Sequence, residues 1–492
     1  MYYISTRGGS EKKTSALVIK QGLAEDGGLF VPESIPTVSK DFIKKLAEED
    51  YAHRAADVLS LYLTDYTYDE LLSAATDAYK EESFGKYAAP VKSLDKTHKV
   101  LELWHGPTCA FKDMALQIMP RLLSTALKKT DENRTALILV ATSGDTGKAA
   151  LEGYKDVDGV KIMVFYPEDG VSDIQKLQMA SQEGENVNVC AIKGNFDDAQ
   201  TGVKQIFSDT NIAKELDEKG YFLSSANSIN WGRLAPQIVY YFSAYCDLMN
   251  AGDITLGDEI DVCVPTGNFG NIFAAYLAKR MGLPVRRFIC ASNVNNVLTD
   301  FINTGIYDRN RQFYTTISPS MDILISSNLE RLLWLIQGEE KTAECMKLLK
   351  ETGKYEVSAE VREKIASEFI GCFASDDETK QTIAETFEKH SYLIDTHTAV
   401  ALFAAKKNAT DIPVVTASTA SPYKFAADVL SALTGNRDNG DDFFRILREL
   451  NAKTGADVPR PLAALENKTR RFTTSVGKSK DEMFAEVAKF AD

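Results

Sequence analysis

Cysteine and histidine are scarce in this chain, and neither is clustered. Among 492 residues there are seven cysteines and five histidines, and no Cys-x-x-Cys pair occurs. The spacings typical of zinc sites and of disulfide frameworks are therefore missing, and we predict no metal site. Several cysteines lie in apolar runs, such as Cys263 in DVCVP and Cys290 in FICAS. We expect free, buried thiols in a reducing cytoplasm.

The chain also lacks long apolar runs and an excess of positive charge. No uncharged stretch is long enough to span a membrane, and the first residues, MYYISTRGGSEKK, lack the pattern of a secretory signal. Lysine and arginine total 56 against 70 aspartates and glutamates, a net charge of −14. Such acidity argues against nucleic-acid and membrane partners. We expect a cytoplasmic monomer or homodimer with a small-molecule substrate.

Short apolar strands alternate with helical segments over most of the chain. Four clear strands are TALILVA (135–141), VKIMVFYP (160–167), EIDVCVP (259–265) and IPVVTAS (412–418). The alternation predicts an α/β fold, a two-part body of mainly parallel sheets flanked by helices. Because ligands of such sheets bind at the carboxyl ends of the strands, the loops that follow the strands are the places to look for a site.

Three parts are predicted along the chain. Residues 1–94 form an N-terminal domain, residues 114–224 form a small α/β domain, and residues 95–113 together with 225–492 form a large domain. Within the large domain, residues 339–392 are charged and helical in pattern, so we predict a helical insertion without strands.

The loop PTGNFGN follows the strand at 259–265. Gly267 and Gly270 flank Asn268 and Phe269, and a helix begins near Asn271. Glycines allow a sharp turn with converging N–H groups, and a helix N-terminus adds partial positive charge, which together suit a phosphate. The alternative is an ordinary turn with Asn271 as the helix N-cap. A similar segment, GNFDD at 194–198, lacks the second glycine, and we interpret it as a helix cap.

A second loop, ATSGDTGKAA (141–150), also joins a strand to a helix. It does not match a nucleotide P-loop, because Thr142 replaces the first glycine and Ala149 replaces the residue that binds magnesium. Its backbone turn and hydroxyl groups suit a carboxylate instead. The alternative is simple capping of the helix by Ser143 or Asp145.

Two further segments carry candidate ligand-binding residues. In STASPYKF (418–425), Thr419 lies at the carboxyl end of a strand, where most hydroxyls only satisfy backbone groups. In ANSINWGRLAPQ (226–237), Arg233 has two possible partners, an anionic ligand or one of the many carboxylates of the chain.

Lys112, in LWHGPTCAFKDMALQ (103–117), stands at the predicted start of a helix. Burial beside Phe111 and Met114, together with the helix N-terminus, would lower the pKa of its amine and make it nucleophilic. A reactive lysine, a phosphate loop and a carboxylate loop on one α/β scaffold suggest pyridoxal phosphate. That cofactor is held by a covalent bond to lysine, an anion site and a partner for its ring nitrogen.

The chain resembles the threonine synthase family, in the longer form found in fungi and many bacteria. The resemblance covers nearly the whole chain, is weakest at 339–392, and rests on YISTRGG, GLAEDGGLFVPESIP, HGPTCAFKDMALQ, ATSGDTGKAA, SANSINWGR, PTGNFGNI, SPSMDILISSNLERLLW and STASPYKF. One departure is TASPYKF, where many relatives have TAHPAKF; it concerns only the substrate side.

The resemblance implies a fold, a cofactor and roles for individual residues. The fold is that of tryptophan synthase β-subunit relatives (fold type II) with an added N-terminal domain, and the large domain would bind pyridoxal phosphate. Lys112 would carry the cofactor, Thr419 would meet its ring nitrogen, and Ser143, Asp145 and Thr146 would surround the substrate carboxylate. The cofactor phosphate would be held by Gly267, Asn268, Phe269, Gly270 and Asn271.

The implied reaction converts O-phospho-L-homoserine and water to L-threonine and phosphate. The substrate has two anionic ends, so a second basic site is needed, with Arg233 and Lys148 as candidates. Rival interpretations are a serine/threonine dehydratase of the same fold and a ligand-binding relative without catalysis, against which the intact Lys112 argues. A nucleotide-dependent kinase is disfavoured by the broken P-loop pattern.

Overall fold

Parallel strands organise most of the chain. A computed structural model describes residues 1–142, 144–168, 171, 173–436 and 442–492. The strands are β1 (Tyr3–Ser5), β2 (Phe30–Pro32), β3 (Val91–Ser93), β4 (His98–Glu102), β5 (Thr135–Ala141), β6 (Val160–Pro167), β7 (Val187–Ile192), β8 (Tyr221–Ser224), β9 (Ile260–Pro265), β10 (Val285–Ser292), β11 (Ile306–Asp308), β12 (Lys354–Glu356), β13 (Phe369–Phe373), β14 (Val414–Ser418) and β15 (Ser475–Val476).

Helices lie between most of these strands. Those before β9 are α1 (Ser15–Gln21), α2 (Lys40–Ala47), α3 (Tyr51–Ser60), α4 (Tyr68–Ala78), α5 (Glu81–Phe84), α6 (Asp113–Leu116), α7 (Met119–Lys129), α8 (Asp145–Tyr154), α9 (Asp173–Ala180), α10 (Phe196–Ser208), α11 (Thr210–Glu218) and α12 (Trp231–Asn250). Those after β9 are α13 (Gly270–Met281), α14 (Val297–Thr304), α15 (Leu329–Thr352, kinked at Gly338), α16 (Ala359–Glu368), α17 (Asp376–His390), α18 (Thr396–Lys407), α19 (Ala426–Thr434), α20 (Phe443–Thr454), α21 (Arg460–Ala463) and α22 (Lys480–Ala491).

Two sheets form the body of the molecule. The larger has the strand order β13-β10-β9-β14-β4-β3, in which β3 alone is antiparallel to its neighbour. The smaller, with the order β15-β7-β6-β5-β8, is parallel throughout. Helices cover these sheets, as the nearly continuous apolar strands require. The predicted α/β class with two parallel-sheet units is confirmed.

The predicted strand positions agree closely with the structure. β5 and β6 cover 135–141 and 160–167, as the apolar runs indicate. The edge strand β15, from the C-terminal part of the chain, pairs with β7 in the smaller sheet. The three-part division into 1–94, 114–224 and the remaining residues stays a proposal. The strand β15 belongs to the predicted large domain in sequence but lies in the smaller sheet.

The prediction that residues 339–392 contain no strand is wrong. β12 pairs with β11, and β13 forms the edge of the larger sheet beside β10. The run FIGCF that forms β13 is only five residues long. It lies between two charged helices, whose pattern dominates any sequence window that is long enough to detect a helix.

The N-terminal part is mainly helical, and its apolar pattern over 44–63 is divided between two helices. α2 ends at Ala47 and α3 begins at Tyr51. Asp50 causes the restart, since its carboxylate accepts a hydrogen bond from His53 N at 2.9 Å and so caps α3. In the described part of the chain, no helix combines the length and apolar character that crossing a membrane requires.

Candidate active site

Three loops of the larger sheet meet because their strands are neighbours. β9, β14 and β4 lie side by side and run parallel, so their carboxyl ends share one edge. The loops that leave this edge contain residues 266–271, 419–421 and 103–112. These are the segments that hold the predicted phosphate loop, Thr419 and Lys112. The strand order thus explains why residues far apart in the sequence form one site.

Lys112 is fixed at the start of α6 by its neighbours. Phe111 N donates to Thr419 O at 2.8 Å, and Ser421 N donates to Cys109 O at 3.0 Å, so the lysine loop is hydrogen-bonded to the segment after β14. The next residue, Asp113, is fully buried and accepts hydrogen bonds from Thr108 N (2.8 Å) and Thr108 Oγ1 (2.7 Å). Burial raises the pKa of Asp113 to about 6. The lysine backbone is therefore held on both sides.

The Lys112 amine lies in a partly apolar, charged environment. Its Nζ is 5.1 Å from the centre of the Phe111 ring and 3.9 Å from Asp145 Oδ2. Burial lowers the pKa of Lys112; Asp145 opposes this effect, while the positive charges of Lys424 and Arg233 add to it. The net effect is a lowered pKa, so the neutral, nucleophilic form of the amine is more populated than in an ordinary lysine.

The PTGNFGN loop turns its carbonyl groups away from the site. Gly267 O accepts from Ser326 Oγ at 2.8 Å, and Asn268 O accepts from Asn328 Nδ2 at 3.0 Å. Phe269 adopts the left-handed conformation (φ 61°), which a residue with a side chain seldom adopts, and α13 begins at the next residue. The amides of the first helical turn have no partner within the helix, so this loop presents donors for an anion.

Asn271 supplies an unpaired donor at the same place. Its Oδ1 accepts hydrogen bonds from the hydroxyls of Tyr240, at 2.7 Å, and Tyr241. Its Nδ2 is buried and has no hydrogen-bond partner in the described part of the protein. A buried amide without a partner costs about 1–3 kcal/mol, so its presence points to a ligand acceptor. The interpretation of Asn271 as an N-cap fails, because Phe269 occupies that position without a side-chain bond.

A cavity of about 240 Å³ joins these groups. Among its lining residues are Lys112, Thr146, Arg233, Gly267, Asn268, Phe269, Gly270, Asn271 and Thr419. A larger cavity of about 1070 Å³ lies behind the 103–109 loop and does not include Lys112 among its described lining residues. The smaller cavity therefore brings together the predicted lysine, phosphate loop and threonine. Its unpaired donors fit a phosphate-bearing cofactor.

Arg233 lies in the same cavity without a carboxylate partner among the described residues. Its Nη1 donates to Ala226 O at 2.8 Å, while Nε is buried and unpaired in that part of the chain. Burial lowers the pKa of Arg233 to about 10, which leaves the guanidinium charged at neutral pH. A buried, uncompensated cation is costly unless a ligand supplies an anion. Of the two partners considered for Arg233, the anionic ligand is favoured.

The ATSGDTGKAA loop is described except at position 143. Ser143 lies outside the described residues, and Thr146 lines the cavity. α8 is preceded by Gly144 without a side-chain cap, so Asp145 does not cap it. The Asp145 carboxylate instead forms an ion pair of 2.6 Å with Lys424. Lys148 is buried and pairs with Glu152 at 3.2 Å, and it does not line the 240 Å³ cavity.

Two residues at the site were not predicted from the sequence. His397 lines the cavity; its Nδ1 lies 2.8 Å from Asp395, and its Nε2 accepts from Ser320 N at 3.1 Å. This histidine holds the segment that packs against Gly267. Lys424 is the second group. It stands in the quoted motif STASPYKF, but its partner Asp145 is far away in the sequence. Among the described residues, no group of His, Cys, Asp and Glu is arranged to hold a metal ion.

Three family models match the chain in succession. Threonine synthase N terminus matches residues 2–79, Pyridoxal-phosphate dependent enzyme matches 100–416, and Threonine synthase, C-terminal matches 398–484. The second model alone covers more than half of the chain. It also spans the lysine loop, the ATSGDTGKAA loop and the PTGNFGN loop.

Individual relatives agree with these models. Threonine synthase of Pseudomonas aeruginosa is 40% identical over 88% of this chain and 91% of its own length. Human threonine synthase-like 1 is 42% identical over 86% of this chain, but the chain spans only 59% of the length of that protein. The crystal structure of pyridoxal-phosphate-bound threonine synthase from Brucella melitensis has a TM-score of 0.89 and 36% identity, covering 100% of this chain and 99% of that one. The chain therefore belongs to the threonine synthase family of pyridoxal-phosphate-dependent enzymes.

Proposed function

We propose that the protein is a threonine synthase that converts O-phospho-L-homoserine and water to L-threonine and phosphate with pyridoxal phosphate as cofactor. The observation that carries this proposal is the meeting of the Lys112 amine with the unpaired donors of the PTGNFGN loop in one cavity. A buried lysine alone has many explanations. A buried lysine beside an unfilled anion site has few, and a cofactor with an aldehyde and a phosphate satisfies both groups.

Each part of the cofactor has residues suited to it. Lys112 would bind its aldehyde carbon, and Thr419 would meet its ring nitrogen. Its phosphate would lie against Gly267, Asn268, Phe269, Gly270 and Asn271. When bound, the cofactor would take up the electron pairs that remain when the α- and β-carbons of the substrate lose protons. A hydroxyl at the ring nitrogen, in place of a carboxylate, would leave that nitrogen mostly unprotonated and would favour elimination over transamination.

The substrate has two anionic groups and needs a site for each. Thr146, with Ser143 from the same loop, suits the α-carboxylate through hydroxyl and backbone donors. Arg233 suits the phosphate at the other end, since its buried guanidinium has an unpaired Nε. Asp145 belongs to the same loop as Thr146. Because its carboxylate is paired with Lys424, we assign it a supporting role beside the substrate carboxylate and not direct binding.

Lys112 also has the position of a proton carrier. When it is not bonded to the cofactor, the Lys112 amine would serve as the base for the α-proton, and burial lowers its pKa, which favours the neutral form that a base requires. The substrate loses an α- and a β-proton, and the bond from the γ-carbon to the phosphate oxygen breaks. Water then adds its oxygen to the β-carbon, and protons return to the α- and γ-carbons. The balance is one water consumed and one phosphate released.

The test is product analysis on the full chain with pyridoxal phosphate. We expect equal amounts of phosphate and L-threonine from O-phospho-L-homoserine, and a loss of at least about a thousandfold in Lys112→Ala. Lys99→Ala is the matched control, since Lys99 is also buried and pairs with Asp253 at 2.7 Å away from the cavity. Turnover by Lys112→Ala at the normal rate would refute the proposal. A 2-oxo acid formed from serine or threonine, without phosphohomoserine turnover, would favour a dehydratase.

The cellular setting is part of the same proposal. All seven cysteines are free and buried, which suits a reducing compartment such as the cytoplasm. We propose a cytoplasmic enzyme that acts as a monomer or homodimer. Size-exclusion chromatography with light scattering would distinguish the two states.

A further inference from the structure

A second buried lysine lies next to the Lys112 site. Lys424 stands in the short turn after β14, and its side chain is only 2% exposed. Its Nζ lies 2.6 Å from Asp145 Oδ1 and donates to Thr108 O at 3.0 Å. It therefore joins the first residue of α8 to the loop that carries Lys112. No role for this residue follows from the proposed cofactor and substrate contacts.

Asp145 lies between the two lysines, and the distances are unequal. Its Oδ2 is 3.9 Å from Lys112 Nζ, whereas its Oδ1 is 2.6 Å from Lys424 Nζ and accepts from Gln175 Nε2 at 3.2 Å. Because Coulomb energy varies inversely with distance, the attraction to Lys424 is about one and a half times as strong as that to Lys112. The Asp145 carboxylate therefore interacts with both lysines, and its stronger interaction is with Lys424.

No other charged group among the described neighbours of Lys112 takes the place of Lys424 as the partner of Asp145. Arg233 adds positive charge, and Asp113 is turned toward Thr108, which donates two hydrogen bonds to it. The nearby Cys109 thiol stays neutral, because burial raises its pKa to about 12. Burial would raise the pKa of Asp145, but the ammonium groups of Lys424 and Lys112 outweigh it and hold that pKa well below its usual value. Asp145 is therefore a permanent anion at neutral pH.

We propose that Lys424 is a positioning residue that engages the Asp145 carboxylate and so keeps it from locking the Lys112 amine in an ion pair. Without Lys424, the buried carboxylate would have Lys112 as its nearest cation and would stabilise the charged, unreactive form of that amine. With Lys424 in place, the amine remains free to bond to the cofactor. This inference rests on the proposed covalent role of Lys112.

The experiment measures the reactivity of Lys112 directly. The full chain, freed of cofactor, is labelled with trace acetic anhydride between about pH 6 and pH 11, and the Lys112 peptide is quantified by mass spectrometry. Lys424→Met should move the labelling midpoint upward by about one pH unit, which is a tenfold loss of neutral amine at a fixed pH. Asp145→Asn should move it downward, and the double variant should return it close to the original value, because the pair then contributes no charge.

Controls separate this role from a merely structural one. Lys424→Arg keeps the charge and should keep the midpoint, whereas Lys99→Met removes a buried, paired lysine elsewhere and should not move it. If Lys424→Met lowers the melting temperature but leaves the midpoint unchanged, the proposal is overturned. Should Lys424→Met not fold, Asp145→Asn decides, since an unchanged midpoint there also overturns it. Borohydride capture of the cofactor at Lys112 in the original chain tests the proposed function separately.

Discussion

Two segments of the molecule share the letters Gly-Asn-Phe after a strand, yet they differ in every polar contact. At 194–198, Asn195 caps α10 by accepting a hydrogen bond from Asp198 N, and Asp198 Oδ2 accepts in return from Asn195 N at 3.0 Å. At 267–271, no side chain caps α13, Phe269 is left-handed, and Asn271 Nδ2 is buried without a partner in the described part of the chain.

Satisfied polar groups distinguish the turn from the ligand site. The first segment satisfies its own donors through a capping box, so its polar groups need no ligand, even though Phe196 lines the cavity. The second carries backbone strain and an unpaired donor, costs that a fold seldom retains without a use. Substitutions in the two segments therefore test this distinction.

The largest difference is expected at the first glycine of each segment. A Cβ on Gly267 would lie 2.8 Å from the backbone oxygen of Ser320, whereas a Cβ on Gly194 would meet only side-chain atoms of Asp198. We expect Gly267→Ala to weaken pyridoxal phosphate binding by about a hundredfold or more, about 2.7 kcal/mol, because the loop must shift. Gly194→Ala should leave the affinity within about twofold, as fluorescence titration would measure. Equal effects would contradict the distinction.

The asparagines should differ in their effect on cofactor affinity, by a smaller factor. Asn271→Ala removes the unpaired donor, and we expect roughly tenfold weaker cofactor binding; because it also removes the acceptor of the buried Tyr240 and Tyr241 hydroxyls, it should cost about 1–3 kcal/mol of unfolding free energy in the cofactor-free chain. Asn195→Ala removes a helix cap, so it should cost about 1 kcal/mol of unfolding free energy without changing cofactor affinity. Urea unfolding and cofactor titration on both variants measure the two quantities. A loss of cofactor affinity in Asn195→Ala would contradict the distinction between the two segments.

The smallest effect concerns the orientation of Asn271. Tyr241 donates its hydroxyl hydrogen to Asn271 Oδ1, which helps to fix the orientation of an amide that lines the cavity. Tyr241→Phe removes this hydroxyl, while Tyr240 keeps its own bond to the same oxygen at 2.7 Å. We expect about two- to fivefold weaker cofactor binding, corresponding to a partial loss of one hydrogen bond. An unchanged affinity would show that Tyr240 alone orients the amide.

Much of the fold was predictable because the relevant signals are local. The runs TALILVA and VKIMVFYP are long, apolar and β-branched, and their ends were predicted correctly. Their alternation with helices implied parallel sheets and a site at the carboxyl ends of the strands. β13 was missed, because FIGCF is short and lies between charged helices. Its pairing with β10 is a tertiary contact that no local window contains.

The residues of the site were likewise predictable where the signal is local and not where it depends on tertiary contacts. Lys112, Thr419 and the PTGNFGN loop were predictable, since each stands beside a strand end or a helix start. The left-handed Phe269 was not, because a bulky aromatic residue gives no local indication of positive φ. Lys424 was overlooked even though it stands in a quoted motif, because its importance depends on the distant Asp145.

The most direct measurement is to identify the residue that holds the cofactor. The purified full chain is incubated with pyridoxal phosphate, reduced with borohydride and digested, and the modified peptide is sequenced by mass spectrometry. We predict one stable pyridoxyl modification, on Lys112, that is strongly reduced in Gly267→Ala at limiting cofactor. Modification of another lysine, or none at all, would contradict the central claim that Lys112 and the 267–271 loop bind one cofactor between them.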